Sequence, residues 1–295
     1  MLTLEQLASL ADAHRDALSA QVAEFEIGDR LFAFNSRSAI MGVINLSADS
    51  WYRESVRLTA EQGIQRGKIL HAQGADIVDI GAESTLAHAA RAQTAMQSAR
   101  LLPVIEGLRA AGVLVSVETY DLKVTRECLA AGANVLNWTG TDEPERFFEV
   151  ALQSDAAVII CYVQGKNVRE VADFDLSADA VPMMEAYFER QLKLAEKTGL
   201  KKLLIDPGLG FYYRNLQDSA TRVQHQMKVF LNTFRLRKLG YPVCHALPHA
   251  FEYFGEEVRC AEPFFAVLAA LGKTDLFRTH EVPRVKAVLD TLRAH

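Results

Sequence analysis

The sequence predicts an α/β protein, a (β/α)8 TIM barrel with an additional N-terminal helix, and three observations carry that expectation. Short apolar runs rich in β-branched residues recur at 39–44, 76–80, 113–117, 134–136, 156–161, 203–205, 242–244 and 275–277. Helical stretches separate them at 59–73, 95–111, 122–131, 182–198, 221–239, 262–271 and 282–292. Most of the runs are too uniformly apolar for a half-exposed sheet, which indicates parallel strands buried on both faces. Eight such units suggest a closed barrel, with a doubly wound open sheet as the alternative.

Ahead of the alternation, residues 3–22 read as an amphipathic helix, with Leu4, Leu7, Leu10 and Ala11 at helical spacing and Thr3-x-x-Gln6 as a capping box. The expected division is therefore a helical appendage at 1–30 and a barrel at 31–295. In a barrel, chemistry collects where the strands exit at their C-terminal ends. Those positions hold Asn45 with Ser47 and Asp49 after it, then Asp79 to Thr85, Glu118-Thr119, Asn137-Trp138 and Cys161-Tyr162. They continue with Asp206, His245 to His249, and Arg278-Thr279-His280-Glu281. Polar residues at nearly every exit converge on one mouth.

Composition narrows the class. A 49% hydrophobic content over 295 residues is ample for a large core. A net charge of −5 argues against nucleic acid, which needs clustered basic charge. No apolar run approaches the roughly 20 residues that span a bilayer, so no membrane partner is expected. The four cysteines are widely spaced, with no C-x-x-C pair, and read as reduced thiols of a cytoplasmic protein. The final helical stretch carries Val285, Val288, Leu289 and Leu292, a stripe suited either to a homodimer or to the barrel wall.

The run Ile205-Asp206-Pro207-Gly208-Leu209-Gly210-Phe211 is a strand that stops at a carboxylate before a glycine-rich turn. Either Asp206 is an acid presented at the mouth, outside the packed interior, or it is a plain turn and capping residue. The aromatics Phe211-Tyr212-Tyr213 suit stacking on a planar substrate or packing of a loop. Glu83 with His88, and His245 with His249, have metal-like spacing, but such pairs are more often incidental.

Four of these segments resemble the signatures of dihydropteroate synthases. They are Ile40 to Trp51, Gly74 to Thr85, the turn from Asp206 to Phe211, and Phe277-Arg278-Thr279-His280. The likeness runs in order from about residue 39 to 290, and the stretch from Asp49 to Leu58 is closest to the sulfonamide-resistant branch. The resemblance implies a (β/α)8 barrel that joins a pterin methyl diphosphate to p-aminobenzoate and expels pyrophosphate with the help of Mg2+. It implies that Asn45 lies near Mg2+ and diphosphate, and that Arg278 and His280 grip the diphosphate. It implies that Asp206 and Asn137 hold the pterin edge, with Glu118 and His249 as the further catalytic positions and Thr85 and Phe211 lining the ring and aromatic site.

The chain departs from the family pattern on the ring side. Glu118 stands for an aspartate, Trp138 for the aspartate after Asn137, and His249 for a lysine, while Thr85-Leu86-Ala87 lacks the Arg-Pro that flanks p-aminobenzoate. The alternatives are therefore a pterin-binding paralogue with altered or lost synthase activity, or a methyltransferase using a methylated tetrahydrofolate. Intact diphosphate residues count against both.

Overall fold

A computed structural model describes residues 2–47, 56–57, 59–83, 93–167, 170, 179–210 and 218–294. Helix α1 (Leu4–Ala13) starts at Thr3, and the capping box with Gln6 is formed in both directions. It stops well short of residue 22, giving way to a 3-10 turn at Arg15–Ala17, and no residue of α1 is fully buried.

An antiparallel hairpin follows, β1 (Phe25–Ile27) and β2 (Arg30–Phe32), which the sequence reading did not contain. Its turn uses Gly28 at φ +61, where a Cβ would also sit 2.8 Å from Leu114 Cδ2. Val22, Ile27, Phe32 and Phe34 pack with Ala39, Met41, Ile77 and Leu276 inside the barrel floor. The expected boundary at residue 30 thus cuts β2, and the hairpin belongs with the barrel packing.

The barrel strands are β3 (Ala39–Asn45), β4 (Ile77–Gly81), β5 (Val115–Thr119), β6 (Val135–Trp138), β7 (Ala157–Cys161), β8 (Leu203–Asp206), β9 (Cys244–Ala246) and β10 (Leu276–Thr279). All their pairings are parallel, and the sheet runs β8-β7-β6-β5-β4-β3-β10-β9. A parallel bridge between Ile205 and Val243 joins the two ends, so the sheet closes and the open-sheet alternative falls away. Around it lie α2 (Ala60–Ala72), α3 (Thr94–Ala110), α4 (Leu122–Ala130), α5 (Pro144–Gln153), α6 (Val181–Thr198), α7 (Ser219–Leu236), the short α8 (Phe251–Phe254), α9 (Ala261–Leu271) and α10 (Val282–Arg293). Helix α5 was not expected; Phe147, Phe148, Val150 and Ala151 are its buried face. No described helix is long and apolar enough to cross a membrane.

Side-chain alternation sorts each strand into two layers. Val78, Ile80, Leu136, Trp138, Val158, Ile160, Leu203, Ile205 and Phe277 point out to the helices. Ile77, Val135, Ala157, Ile159, Leu204 and Leu276 point into the barrel. The stripe on α10 resolves the same way, because Val285 and Leu289 are buried against the barrel wall and only Leu292 stays exposed.

Candidate active site

The inward parity carries the strand-exit residues into one buried polar layer. Asp79 shares its face with Ile77, Asn137 with Val135, Asp206 with Leu204 and Arg278 with Leu276. Arg278 is the hub. Its Nε donates to Asp79 Oδ2 at 2.7 Å and its Nη2 to Glu118 Oε2 at 2.5 Å. Asp79 is fully buried and also accepts from Ser116 Oγ at 2.6 Å and Asn137 Nδ2 at 3.3 Å. Cys161 Sγ lies 3.4 Å from Asn137 Oδ1, the other end of the same amide.

The extra methylene of Glu118 is used to reach across to Arg278. Burial raises the Glu118 carboxyl to about 7; Arg278 pulls it down, and Asp79, Asp206 and Glu83 push it up. The Arg278 charge is itself reinforced, because Asp79 and Glu118 outweigh its desolvation. The two tendencies agree physically: three carboxylates gathered about one guanidinium carry surplus negative charge, so one of them tends to take up a proton.

Asp206 is buried, not set outside the packing as the sequence reading had it. Its Oδ1 accepts the Gly208 amide at 2.7 Å, and Gly208 sits at φ +75, where glycine is the residue without strain. One oxygen thus holds the turn, and strand parity turns the carboxylate to the barrel interior. Burial lifts Asp206 to about 6, against the pull of the Gly208 amide, Arg278 and the Cys244 thiol.

At the exits of the neighbouring strands β3 and β10, Asn45 Nδ2 lies 3.5 Å from His280 Nε2. The opposite ring nitrogen of His280 meets Glu262 Oε1 at 2.8 Å. Glu262 is fully buried near the start of α9 and was not singled out from the sequence. Burial raises its pKa, but His280, His249 and the Thr279 hydroxyl outweigh that and leave it lowered. His249 reaches this same corner, and burial holds its imidazole down at about 4. His245 does not: it turns outward, 2.7 Å from Thr233 Oγ1 and against the Phe230 ring, so the His245–His249 spacing joins nothing.

Trp138 also points outward, its ring 5.5 Å from Phe147 in a tilted contact and 5.6 Å from Phe148 edge to face, so the change from aspartate lies in the helix layer and not in the mouth. The expected site residues Thr85 and Phe211 lie outside the described residues, as do Asp49, Leu86 and Ala87. Asn45 offers a neutral carboxamide oxygen, the kind of hard donor that suits Mg2+, which takes few protein oxygens and completes its shell with water and phosphate.

Comparison with known proteins points the same way. A family model described as pterin binding enzyme matches residues 41–247. A probable bifunctional folylpolyglutamate synthase/dihydropteroate synthase of Halobacterium salinarum is 31% identical over 88% of this chain. This chain spans 31% of that relative's length, and 34% of a similar bifunctional relative from Haloferax volcanii. A dihydropteroate synthase of Synechocystis is 27% identical, over 87% of this chain and 89% of its own. Among solved structures, Xanthomonas albilineans dihydropteroate synthase superposes with a TM-score of 0.74 at 26% identity, covering 93% of this chain and 98% of the other.

Proposed function

The chain belongs to the pterin-binding enzyme family, and from that premise we propose that it is a transferase of the dihydropteroate synthase type. It joins a pterin methyl diphosphate to p-aminobenzoate: the methylene C–O bond breaks, pyrophosphate leaves, and the arylamine nitrogen bonds to the methylene and gives up a proton. The observation that carries the reading is the buried layer of Asp79, Glu118, Asn137 and Asp206 around Arg278. Its surplus negative charge stabilises a methylene that becomes cationic as the diphosphate departs.

In this reading Asp206 accepts the paired N–H groups of the ring's amino edge, and Asn137 supplies amide complementarity beside it. Glu118, raised to about 7, is placed to hold a proton during the exchange. Asn45, Arg278 and His280 receive the diphosphate, the Arg278 fork giving up its carboxylate contacts to oxygens of the substrate. Bound Mg2+ on Asn45 would neutralise charge on the leaving group. Thr85 and Phe211 would face the aromatic partner. The likeness to the sulfonamide-resistant branch belongs to the same proposal, as do a cytoplasmic location and a homodimer; exposed Phe264, Leu271 and Leu292 on α9 and α10 supply an apolar surface for the dimer.

The test is direct. The purified chain is incubated with the pterin methyl diphosphate, p-aminobenzoate and Mg2+, and pyrophosphate and dihydropteroate are measured together. Release of both in equal amounts supports the proposal. Pterin binding by calorimetry without turnover would replace it with the paralogue reading.

A further inference from the structure

Behind His280, three elements bring two imidazoles and a carboxylate together. His249 follows β9, His280 follows β10, and Glu262 stands in the first turn of α9. One donor atom from each lies within 4.8 Å of the other two. Glu262 Oε1 is 2.8 Å from His280 Nδ1 and 3.7 Å from His249 Nδ1. The His249, Glu262 and His280 side chains are 10%, 1% and 14% exposed.

We propose that His249, Glu262 and His280 form a site for one divalent transition-metal ion of the zinc class. Geometry is the first argument. Ligand distances of about 2.0–2.2 Å in a tetrahedral zinc shell put neighbouring donors roughly 3.3–3.5 Å apart. The observed 2.8 and 3.7 Å from Glu262 fall on either side of that spacing, and all three donors lie within 4.8 Å of one another.

The second argument is the division of labour at Glu262. Its Oε2 already accepts from the Thr279 hydroxyl and from the amides of His280 at 2.9 Å and Glu281 at 3.1 Å. Those donors fix the carboxylate plane and leave Oε1 as the oxygen aimed between the two rings, the kind of outer support that metal ligands require. The third argument is ligand type. Two imidazole nitrogens and one carboxylate oxygen suit zinc-class ions, whereas Mg2+ prefers an all-oxygen octahedron. The site is thus separate in chemistry from an Asn45 Mg2+ position, which faces the opposite edge of the His280 ring. An ion on Nδ1 would lock that ring with Nε2 directed at Asn45. The inference goes beyond the proposed synthase activity and does not depend on it.

The test reads metal binding and not turnover. The chain is stripped with a chelator, dialysed and titrated with Co2+, following the visible d–d absorption of a four- or five-coordinate site. One equivalent is expected, displaced by Zn2+ and not by excess Mg2+. His249→Gln should weaken Co2+ binding on the order of tenfold or more and change the spectrum, with circular dichroism confirming the fold; His280→Gln serves as the second variant. Asn45→Ala should keep the band. Less than one equivalent in the unmodified chain, or unchanged Co2+ binding in both folded histidine variants, overturns the proposal.

Discussion

The two ends of the barrel bury the same kinds of groups and arrange them to opposite effect. At the floor, Asp76 is bonded to Arg30 and Arg37 and accepts the Ile40 amide at 2.9 Å. Asp275 is bonded to Arg237 and accepts the Val243 amide at 2.8 Å. Two carboxylates there meet three guanidiniums. At the mouth, Asp79, Glu118 and Asp206 gather about Arg278 alone among the described residues. Burial still raises Asp275 to about 7, with Arg237 and the Val243 amide pulling against it, so the contrast lies in the number of cations per carboxylate, two of the floor cations being solvent-exposed. The floor is balanced as a structural join between the hairpin and the strand starts. The mouth keeps a surplus of negative charge that a substrate can use.

The largest expected effects break that contrast from each side. At the floor, Asp275→Ala removes the counter-charge of buried Arg237, which keeps only Asn35 Oδ1 at 3.1 Å and two carbonyls among the described residues, and at the mouth, Arg278→Ala removes the cation from three carboxylates. Each should cost about 3–5 kcal/mol of stability in denaturant titration, as for loss of one partner from a buried pair. They should differ in function: folded Asp275→Ala retains ligand affinity, while Arg278→Ala loses pyrophosphate binding. Equal loss of binding in both would mean that the floor and the mouth are not separable.

A pH series sharpens the comparison. Asp206, lifted to about 6, is ionised above that pH and protonated below it. The paired acceptor is therefore present at pH 7.5 and lost toward pH 5, and pterin affinity should fall by about tenfold per unit once below the folded pKa. Flat affinity across that range would remove Asp206 from ring recognition.

The smallest effect is expected at Leu292, exposed on α10. Leu292→Glu should change monomer stability by no more than about 0.5 kcal/mol, as for a surface position away from special features. If sedimentation shows a dimer that this variant dissociates, the α9–α10 surface is its interface.

The barrel was legible because its strands are apolar on both faces and its helices carry periodic stripes. What escaped did so for physical reasons. The hairpin strands are three residues each, too short for a periodicity to register. Helix α5 begins at Pro144 after Glu143 in a left-handed conformation, with no side-chain cap to announce it. Asp79 is recognisable in the sequence as a strand end, but only its parity with Ile77 aims it inward. The same parity turns Trp138 away from the site, so a departure that looked catalytic is one of packing. Glu262 sits in an otherwise apolar helix, and its partners come from strand exits that the fold alone brings near.

The most direct test of a mouth built for ligand and a floor built for stability is a pair of measurements on Asp206→Asn: affinity for a hydroxymethyl pterin by calorimetry, and the thermal midpoint. The substitution keeps size but removes one of the three crowded charges and replaces an acceptor by a donor that faces the ligand's N–H. The account predicts a loss of at least about 1.5–3 kcal/mol in pterin binding, the worth of a charged hydrogen bond, with the midpoint unchanged or raised. Unchanged affinity, or a collapsed midpoint with affinity intact per folded molecule, would contradict it and leave Asp206 as the anchor of its glycine turn.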